Sequence, residues 1–189
     1  MLEDCNNLTD SELVDKVLRN REYFRCIVER YDNKLLRYIL RITSVNKEDA
    51  EDILQDIFIS AYKNLNNFNK DLKFSSWIYR IAHNRVISVW RKAKRTPVLF
   101  KNNDSLEIFN NIISKDDIFL DLIKKDLERE VGGILNKLKK EYAEVLILKF
   151  LEDKSYAEIS DILKKPMGTI ATLINRAKKQ FKEMIVRQK

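Results

Sequence analysis

The sequence predicts an all-α protein made of two small helical domains joined by a flexible linker. Its 189 residues include only 3 glycines and 2 prolines, which leaves few positions for turns and favours long helices over many short strands. Apolar residues recur at helical spacing through most of the chain, and a polar stretch without that period separates two periodic parts. We therefore expect one helical domain on each side of a linker.

Four helices are expected in the N-terminal part. A capping box begins a helix over residues 9–20. Apolar spacing predicts a second helix over 22–42, and Asn46 can cap a third over 47–65. After an Asn-rich loop, the fourth helix covers 74–94 and ends before a Thr-Pro pair, because the residue before a proline disfavours helical geometry.

The linker is predicted over residues 96–119, which divides the chain into an N-terminal domain, 1–95, and a C-terminal domain, 120–189. Two short apolar clusters lie in the linker, at 106–109 and 112–113. They fit either spots that bind a partner or a partly collapsed tether, and the sequence does not choose between the two.

The C-terminal domain is expected to be a helix-turn-helix. A short helix is predicted over 122–127, two glycines at 132–133 interrupt or cap it, and a longer helix covers 135–151. A second capping box opens a helix over 155–163, and the last helix covers 168–186 after a short break. Two helices joined by so short a break, the second one basic, are typical of DNA-binding helix-turn-helix units.

Charge alternates along the chain in four blocks. Residues 1–56, 57–103, 104–163 and 164–189 carry net charges of −4, +9, −5 and +7, within a total of +7. Two basic surfaces attached to acidic modules suit a protein that contacts one polyanion at two places, although two solvated helical faces would give the same pattern. Charge alone leaves open whether the acidic modules pack on the basic ones in the free protein.

Composition argues against several classes of protein. Cys5 and Cys26 are the only cysteines and His83 is the only histidine, so we expect no zinc site and no cofactor. The low cysteine count fits a reducing compartment. No apolar run approaches the roughly 20 residues of a membrane-spanning helix, and the acidic N-terminus lacks a signal-peptide core. We expect a cytoplasmic protein without direct membrane insertion.

The last predicted helix has one apolar and one polar side. At 100° per residue the apolar stripe consists of Ile170, Ile174, Ala177 and Phe181. The opposite side carries Thr169, Thr172, Arg176 and Lys179. An arginine there can bind guanine through two hydrogen bonds, and the helix N-terminus offers backbone N–H groups to a phosphate. A helical hairpin with a solvated basic face is the alternative.

The third predicted helix has a complete core stripe, and its outer face carries a candidate protein-contact patch. The patch consists of Asp52, Gln55, Asp56 and Ile59. An apolar side chain framed by carboxylates and an amide suits a protein contact, although single exposed aliphatic residues are common. Asp49, Asp52 and Asp56 could instead bind a catalytic metal, as in a nucleic-acid hydrolase, but no further motif completes a two-metal site.

The fourth predicted helix combines aromatic and basic residues, and residues 72–103 contain no acid at all. A common flank carries Trp77, Arg80, Asn84 and Arg91. Aromatic rings next to cations suit stacking on unpaired nucleobases while the cations bind the backbone. Taken alone, Trp77 is better explained as an ordinary core residue.

Several segments together resemble a known family. They are Ala50–Phe58 (AEDILQDIF), Phe74–Asn84 (FSSWIYRIAHN), Tyr156–Ile159 (YAEI), Gly168–Ile170 (GTI) and Arg176–Lys178 (RAK). In this order and spacing, the chain resembles the bacterial extracytoplasmic-function (ECF) RNA polymerase sigma factors of the sigma-70 family. The resemblance implies a protein that is not an enzyme, and that binds core RNA polymerase and directs promoter recognition, DNA melting and transcription initiation.

The resemblance also implies a role for each domain. Residues 1–95 would be sigma region 2, which binds core polymerase and the −10 element, and 120–189 would be sigma region 4, which binds the −35 element. The residues implied in core-polymerase binding are Asp52, Gln55, Asp56 and Ile59. Those implied in −10 DNA binding are Phe68, Lys73, Phe74, Trp77, Arg80, Asn84 and Arg91. Those implied in −35 DNA binding are Lys165, Gly168, Thr169, Thr172, Arg176 and Lys179.

The expected partners are the bacterial RNA polymerase core and promoter DNA, with no small-molecule substrate. Many relatives are held inactive by an anti-sigma factor, and the sequence leaves open whether this chain has one. The alternative is a stand-alone helix-turn-helix regulator of duplex DNA, which leaves the patch on the third helix without a role. Where the family often has two basic residues, this chain has Ala171 and Leu173, so the promoter sequence does not transfer from relatives.

Overall fold

The computed structural model describes residues 5–43, 45–95 and 131–188. Within these ranges all regular structure is helical. The predicted linker and the short helix predicted over 122–127 lie outside the described residues. None of the helices in the described ranges is both long and apolar enough to cross a membrane.

Over residues 5–43 and 45–95, four α-helices form the N-terminal domain. They are α1 (Asp10–Arg19), α2 (Phe24–Thr43), α3 (Lys47–Asn64) and α4 (Phe74–Arg95). Each bound lies within two residues of its predicted position. The capping box of Thr9 and Glu12 forms, and the side chain of Asn46 accepts a hydrogen bond from the N–H of Asp49, as expected. Short 3-10 turns precede α2 and follow α3.

The inner faces of these helices form one apolar core, and the predicted stripe of α3 is entirely buried. That stripe consists of Ala50, Ile53, Leu54, Ile57, Phe58, Ala61 and Leu65. Because residues three and four apart share a helix face, burying this stripe fixes which side chains of α3 point outward.

The two cysteines form a disulfide between Cys5, in the segment before α1, and Cys26 on α2. The sequence contains no C-x-x-C pair, and this pairing was not expected. Arg30, one turn beyond Cys26, holds the same segment in place. Its guanidinium donates to the carbonyl oxygens of Cys5 and Leu8 at 2.7 and 2.6 Å and to the Asp10 carboxylate at 2.8 Å. Tertiary packing therefore brings the two sulfurs together.

In the described part of the C-terminal domain, the chain forms α5 (131–137), α6 (Lys140–Leu146), α7 (Tyr156–Leu163) and α8 (Met167–Gln188). A π-helical turn, Ile147–Leu151, extends α6. The second predicted capping box forms at the start of α7.

Two expectations for this domain were wrong. Gly132 and Gly133 lie inside α5 rather than breaking it, because a glycine costs only about 1 kcal/mol in a helix interior and packing can offset that. The helix predicted over 135–151 is interrupted at Leu138 and Lys139. The side chain of Leu138 is buried, and its N–H bonds to the carbonyl oxygen of Leu135 in a tight closing turn. The apolar period continues across this break, and so the sequence did not reveal it.

The turn between α7 and α8 is closed by specific backbone contacts. Lys164 adopts the left-handed conformation (φ 52°), and its N–H donates to the carbonyl oxygen of Ser160. The Ser160 hydroxyl donates to the carbonyl oxygen of Lys165 at 2.6 Å. These contacts satisfy polar groups at the end of α7 and fix the angle at which α8 leaves.

The two domains pack against each other, with α7 lying on α4 and the π-helical turn on α2. Buried side chains of both domains belong to one continuous apolar cluster.

Candidate protein and nucleic-acid interfaces

The predicted patch on α3 lies on the exposed face of that helix. Ile59 is 52% exposed, and Asp52 and Gln55 are exposed beside it. Asp56 forms an ion pair with Arg85 of α4, so one of the two carboxylates is already paired within the domain. The structure thus brings the four residues, hereafter the α3 patch, to one accessible face.

Tyr62 extends the α3 patch and was missed by sequence reasoning. Its ring is 38% exposed and lies one turn beyond Ile59. The ring packs edge-on against Phe24 at 5.0 Å, and the guanidinium of Arg21 lies 6.0 Å from its centroid. An aromatic ring at this helical spacing was the available signal, because exposed tyrosines are enriched where proteins bind each other.

The aromatic residues predicted to bind −10 DNA are buried in this structure. Phe68, Phe74 and Trp77 are 8%, 3% and 6% exposed. Their ring centroids lie 5.3–5.5 Å apart, which makes one aromatic cluster at the start of α4. Stacking of a base on these rings therefore requires the surrounding packing to open.

The polar residues of the same predicted site remain accessible. Lys73, Asn84 and Arg91 are exposed, and Arg80 is half-buried. They lie along α4, from Lys73 just before its first residue to Arg91 near its end. The structure therefore separates the predicted −10 site into a buried aromatic part and an accessible polar part.

The outer face of α8 presents most of the predicted −35 residues to solvent. Exposed residues are Gly168, Thr169, Thr172, Arg176 and Lys179, while Lys165 is half-buried. On the opposite stripe Ile170, Ile174 and Ala177 are buried as expected, whereas Phe181, predicted for the same stripe, is only half-buried. The helix α8 packs on α7.

Two of the predicted −35 side chains already have partners. The Thr172 hydroxyl donates to the carbonyl oxygen of Gly168 at 2.9 Å, and Lys165 pairs with Glu141 at 3.2 Å. Leu173 is half-buried and packs against the core. Arg176 and Lys179 are therefore the main exposed cations on this face.

An apolar groove of about 360 Å³ lies on the C-terminal domain, and sequence reasoning did not identify it. Among the described residues it is lined by Val131, Leu135, Leu146, Phe150, Leu151, Lys178, Phe181 and Lys182. The apolar spacing of this part of the chain predicts Phe150 as a core residue, yet Phe150 is 56% exposed.

In the described part of the C-terminal domain, three glutamates contact the N-terminal domain, and sequence reasoning found no residue-level signal for them. Glu152 accepts hydrogen bonds from Nη1 of Arg41 at 2.7 Å and from the Tyr79 hydroxyl at 2.6 Å. Glu144 bonds to Nδ1 of His83. Burial, together with the negative charge of Glu152, raises the pKa of Tyr79 far above its usual value, so Tyr79 is a neutral donor to Glu152.

The third glutamate, Glu158, lies at the first turn of α4. Its carboxylate is 3.4 Å from Nζ of Lys73 and 3.4 Å from the Ser75 hydroxyl. The same carboxylate completes the capping box of Ser155. Glu158 therefore has two roles: it stabilises the start of α7, and it contacts the predicted −10 surface.

No group of three or more His, Cys, Asp or Glu side chains suited to a metal ion occurs in the described parts of the chain.

Comparison with known proteins gives a consistent result. The models of Sigma-70 region 2 and of Sigma-70, region 4 match residues 27–96 and 128–181. The ECF RNA polymerase sigma factor SigW of Bacillus subtilis is 31% identical over 170 residues, which cover 88% of this chain and 90% of the relative. The ECF RNA polymerase sigma-E factor of Haemophilus influenzae is 29% identical over 186 residues, 96% of this chain and 97% of the relative.

A solved structure shares the fold. CnrH, in complex with the cytosolic domain of CnrY, matches 98% of this chain and 100% of its own with a TM-score of 0.70 at 21% identity. The two matched regions, the extent of the match to SigW and the two-domain helical fold agree with one another. The chain therefore belongs to the ECF RNA polymerase sigma factors, which are non-enzymatic transcription initiation factors.

Proposed function

We propose that this protein binds the core of bacterial RNA polymerase in the cytoplasm and directs it to promoters that carry a −10 and a −35 element. In this proposal residues 1–95 act as sigma region 2, 96–119 as the linker and 120–189 as sigma region 4. The observation that carries the proposal is the α3 patch, because a stand-alone DNA-binding regulator has no use for an exposed apolar residue framed by Asp52 and Gln55.

Promoter DNA is expected to contact two separate surfaces. Arg176 and Lys179 on α8 read and hold the −35 element, which suits an exposed cationic face on the second helix of a helix-turn-helix. Lys73, Arg80, Asn84 and Arg91 along α4 hold the −10 strand. Phe68, Phe74 and Trp77 contribute stacking once their packing opens.

An anti-sigma factor is a further proposed partner. The sigma factor RpoE from Bartonella quintana, whose fold is similar to that of this chain with a TM-score of 0.62, was solved in complex with the anti-sigma factor NepR, which supports a partner of the same kind for this chain.

The first test mixes the purified protein with core polymerase, follows co-elution on size exclusion and then reads transcription from a promoter library. Stable co-elution with promoter-selective transcripts is the expected result. A protein that ignores core polymerase yet binds duplex DNA would favour the stand-alone regulator.

The α3 patch is tested by replacing Asp52 and Gln55 with alanine. We expect at least about tenfold weaker binding to core polymerase, because truncating central contact residues typically costs more than 1 kcal/mol. The matched control is Glu29→Ala with Asn33→Ala, which removes one carboxylate and one amide from exposed positions of α2. Unchanged affinity of the α3 variant, with native helix content, would show that the patch does not bind polymerase.

A further inference from the structure

Most of the carboxylates that cross the domain interface are removed from water. The side chains of Glu152 and Glu144 are 5% and 10% exposed, and those of their partners Arg41 and His83 are 13% and 15% exposed. A buried carboxylate without a partner is strongly unfavourable, so these contacts hold only while both domains supply their halves. When the domains separate, water solvates the carboxylates and their partners alike. Because neither side is then left buried and unpaired, the closed arrangement can open and close reversibly.

Glu158 holds α7 against the surface that the proposed function assigns to the −10 element. Its carboxylate contacts Lys73, a proposed DNA-binding cation, and the Ser75 hydroxyl in the first turn of α4. A DNA phosphate would use donors of the same kind, namely an ammonium and a hydroxyl. Lys154, beside the turn, places its Nζ 4.2 Å from the centroid of the Tyr79 ring and so covers α4 further.

We propose that Glu144, Glu152 and Glu158, together the glutamate latch, hold the free protein closed, with α7 over the start of α4. In the closed form Glu158 occupies Lys73 and the Ser75 hydroxyl at the start of α4, and the aromatic part of the predicted −10 site, Phe68, Phe74 and Trp77, is buried. Binding to promoter DNA or polymerase requires the latch to open. The DNA-binding part of this inference rests on the proposed function, whereas the closed form itself does not.

The first experiment removes two latch carboxylates with Glu144→Gln and Glu152→Gln and measures the radius of gyration of the full chain by small-angle X-ray scattering. Glutamine keeps the shape of the side chain and removes its charge, so we expect an expanded protein. The control is Asp161→Asn with Glu183→Gln, which removes two charges from the same domain at positions away from the interface contacts. An unchanged radius, or equal expansion of the control, would overturn the latch.

A second experiment separates latch opening from a change in net charge. Arg41→Gln breaks the Glu152 contact from the other side and makes the protein less positive. If charge alone governs DNA binding, this variant should bind a fluorescein-labelled random-sequence single strand more weakly. If the latch governs it, binding should tighten, by about tenfold where about nine-tenths of the wild type is closed. Arg25→Gln, at an exposed position of the same helix, is the matched control.

Only variants whose helix content by circular dichroism equals that of the wild type are compared in these experiments. Should the double glutamate variant fail to fold, the sign of the Arg41→Gln effect tests the latch by itself, and weaker or unchanged binding would overturn it. Co-elution with core polymerase is measured separately. If the Glu144→Gln, Glu152→Gln variant expands but the wild type does not bind polymerase, the latch is sustained and the proposed function is refuted.

Discussion

Arg176 is the residue through which we expect this protein to read a base of the −35 element. It lies on the exposed face of α8, one turn beyond Thr172, whose hydroxyl is already bonded to the Gly168 carbonyl oxygen. Arg176→Ala should therefore weaken binding to promoters with a −35 element by about 1–3 kcal/mol, the free energy of one bidentate base contact. Transcription from these promoters should fall accordingly. Thr172→Ala should have the smaller effect.

The measurement compares promoters with and without a −35 element. Lys137→Ala, which removes one exposed cation from α5, is the control for charge. Equal loss on both promoter classes would mean that Arg176 stabilises the fold or the general DNA contact instead.

The disulfide gives a second prediction at the scale of single residues. It closes a separation of 21 residues between Cys5 and Cys26, which the loop-entropy model values at about 3 kcal/mol. Cys5→Ser should lower the free energy of unfolding by that amount in oxidising buffer and leave the reduced protein unchanged. Urea unfolding with and without reductant measures the difference. Equal stabilities of wild type and variant under oxidising conditions would contradict the pairing.

Single residues also show where sequence reasoning reached its limit. The exposure of Ile59 and Arg176 followed from helical spacing, because each lies opposite a buried stripe on its helix. The burial of Phe68 and Trp77 did not follow, since an aromatic ring beside cations fits both a core and a nucleobase-stacking surface.

At the scale of elements, the capping boxes stabilise two helix starts in the same way. Thr9 accepts the N–H of Glu12 at the start of α1, and Ser155 accepts the N–H of Glu158 at the start of α7. Thr9→Ala and Ser155→Ala should each lower the free energy of unfolding by about 1 kcal/mol, measured by urea denaturation. A change within error for both would show that these caps do not limit the stability of the fold.

The same boxes predict a pH dependence. Hydrogen bonds from the backbone N–H and the hydroxyl of Thr9 lower the pKa of Glu12 from its ordinary value of 4.5. Between the lowered and the ordinary pKa the unfolded chain holds more protons, so the stabilisation is present above about pH 4.5 and is lost as pH falls through the lowered pKa.

The test compares wild type with Glu12→Gln. Glutamine can still bond to the Thr9 backbone, but it does not titrate. Denaturation from pH 7 down to pH 3 should therefore show a steeper loss of stability in wild type than in the variant. Parallel curves would contradict the assignment. Glu158 is less suitable for this test, because burial raises its pKa while hydrogen bonds from Ser155 and the charge of Lys73 lower it.

Helix boundaries were well predicted where caps define them and poorly where packing does. The starts of α1, α3 and α7 follow from side chains that bond to their own backbone, a local interaction that the sequence displays. The break between α5 and α6 depends on the burial of Leu138, which requires the rest of the domain.

At the scale of the whole molecule, the alternating charge blocks become contacts between domains. The acidic third block places Glu144 against His83, and Glu152 and Glu158 against cations and hydroxyls of the N-terminal domain. Shared burial across this interface should make the two domains unfold together, so calorimetry should show one transition for wild type. The double variant Glu144→Gln, Glu152→Gln should show two separate calorimetric transitions. Two transitions in wild type would mean that the interface does not couple the domains.

The sequence by itself determined the helical class, the helix caps, the buried stripes and the family, since all of these depend on spacing along a single helix or on short motifs. Only the tertiary structure decided the Cys5–Cys26 pairing, the burial of the aromatic cluster and the identity of the latch glutamates. Each of these joins residues that are far apart in the chain, and a one-dimensional pattern carries their charge and polarity but not their distance. The charge pattern along the chain therefore shows which segments are acidic and which are basic, and only folding selects which carboxylates meet which donors.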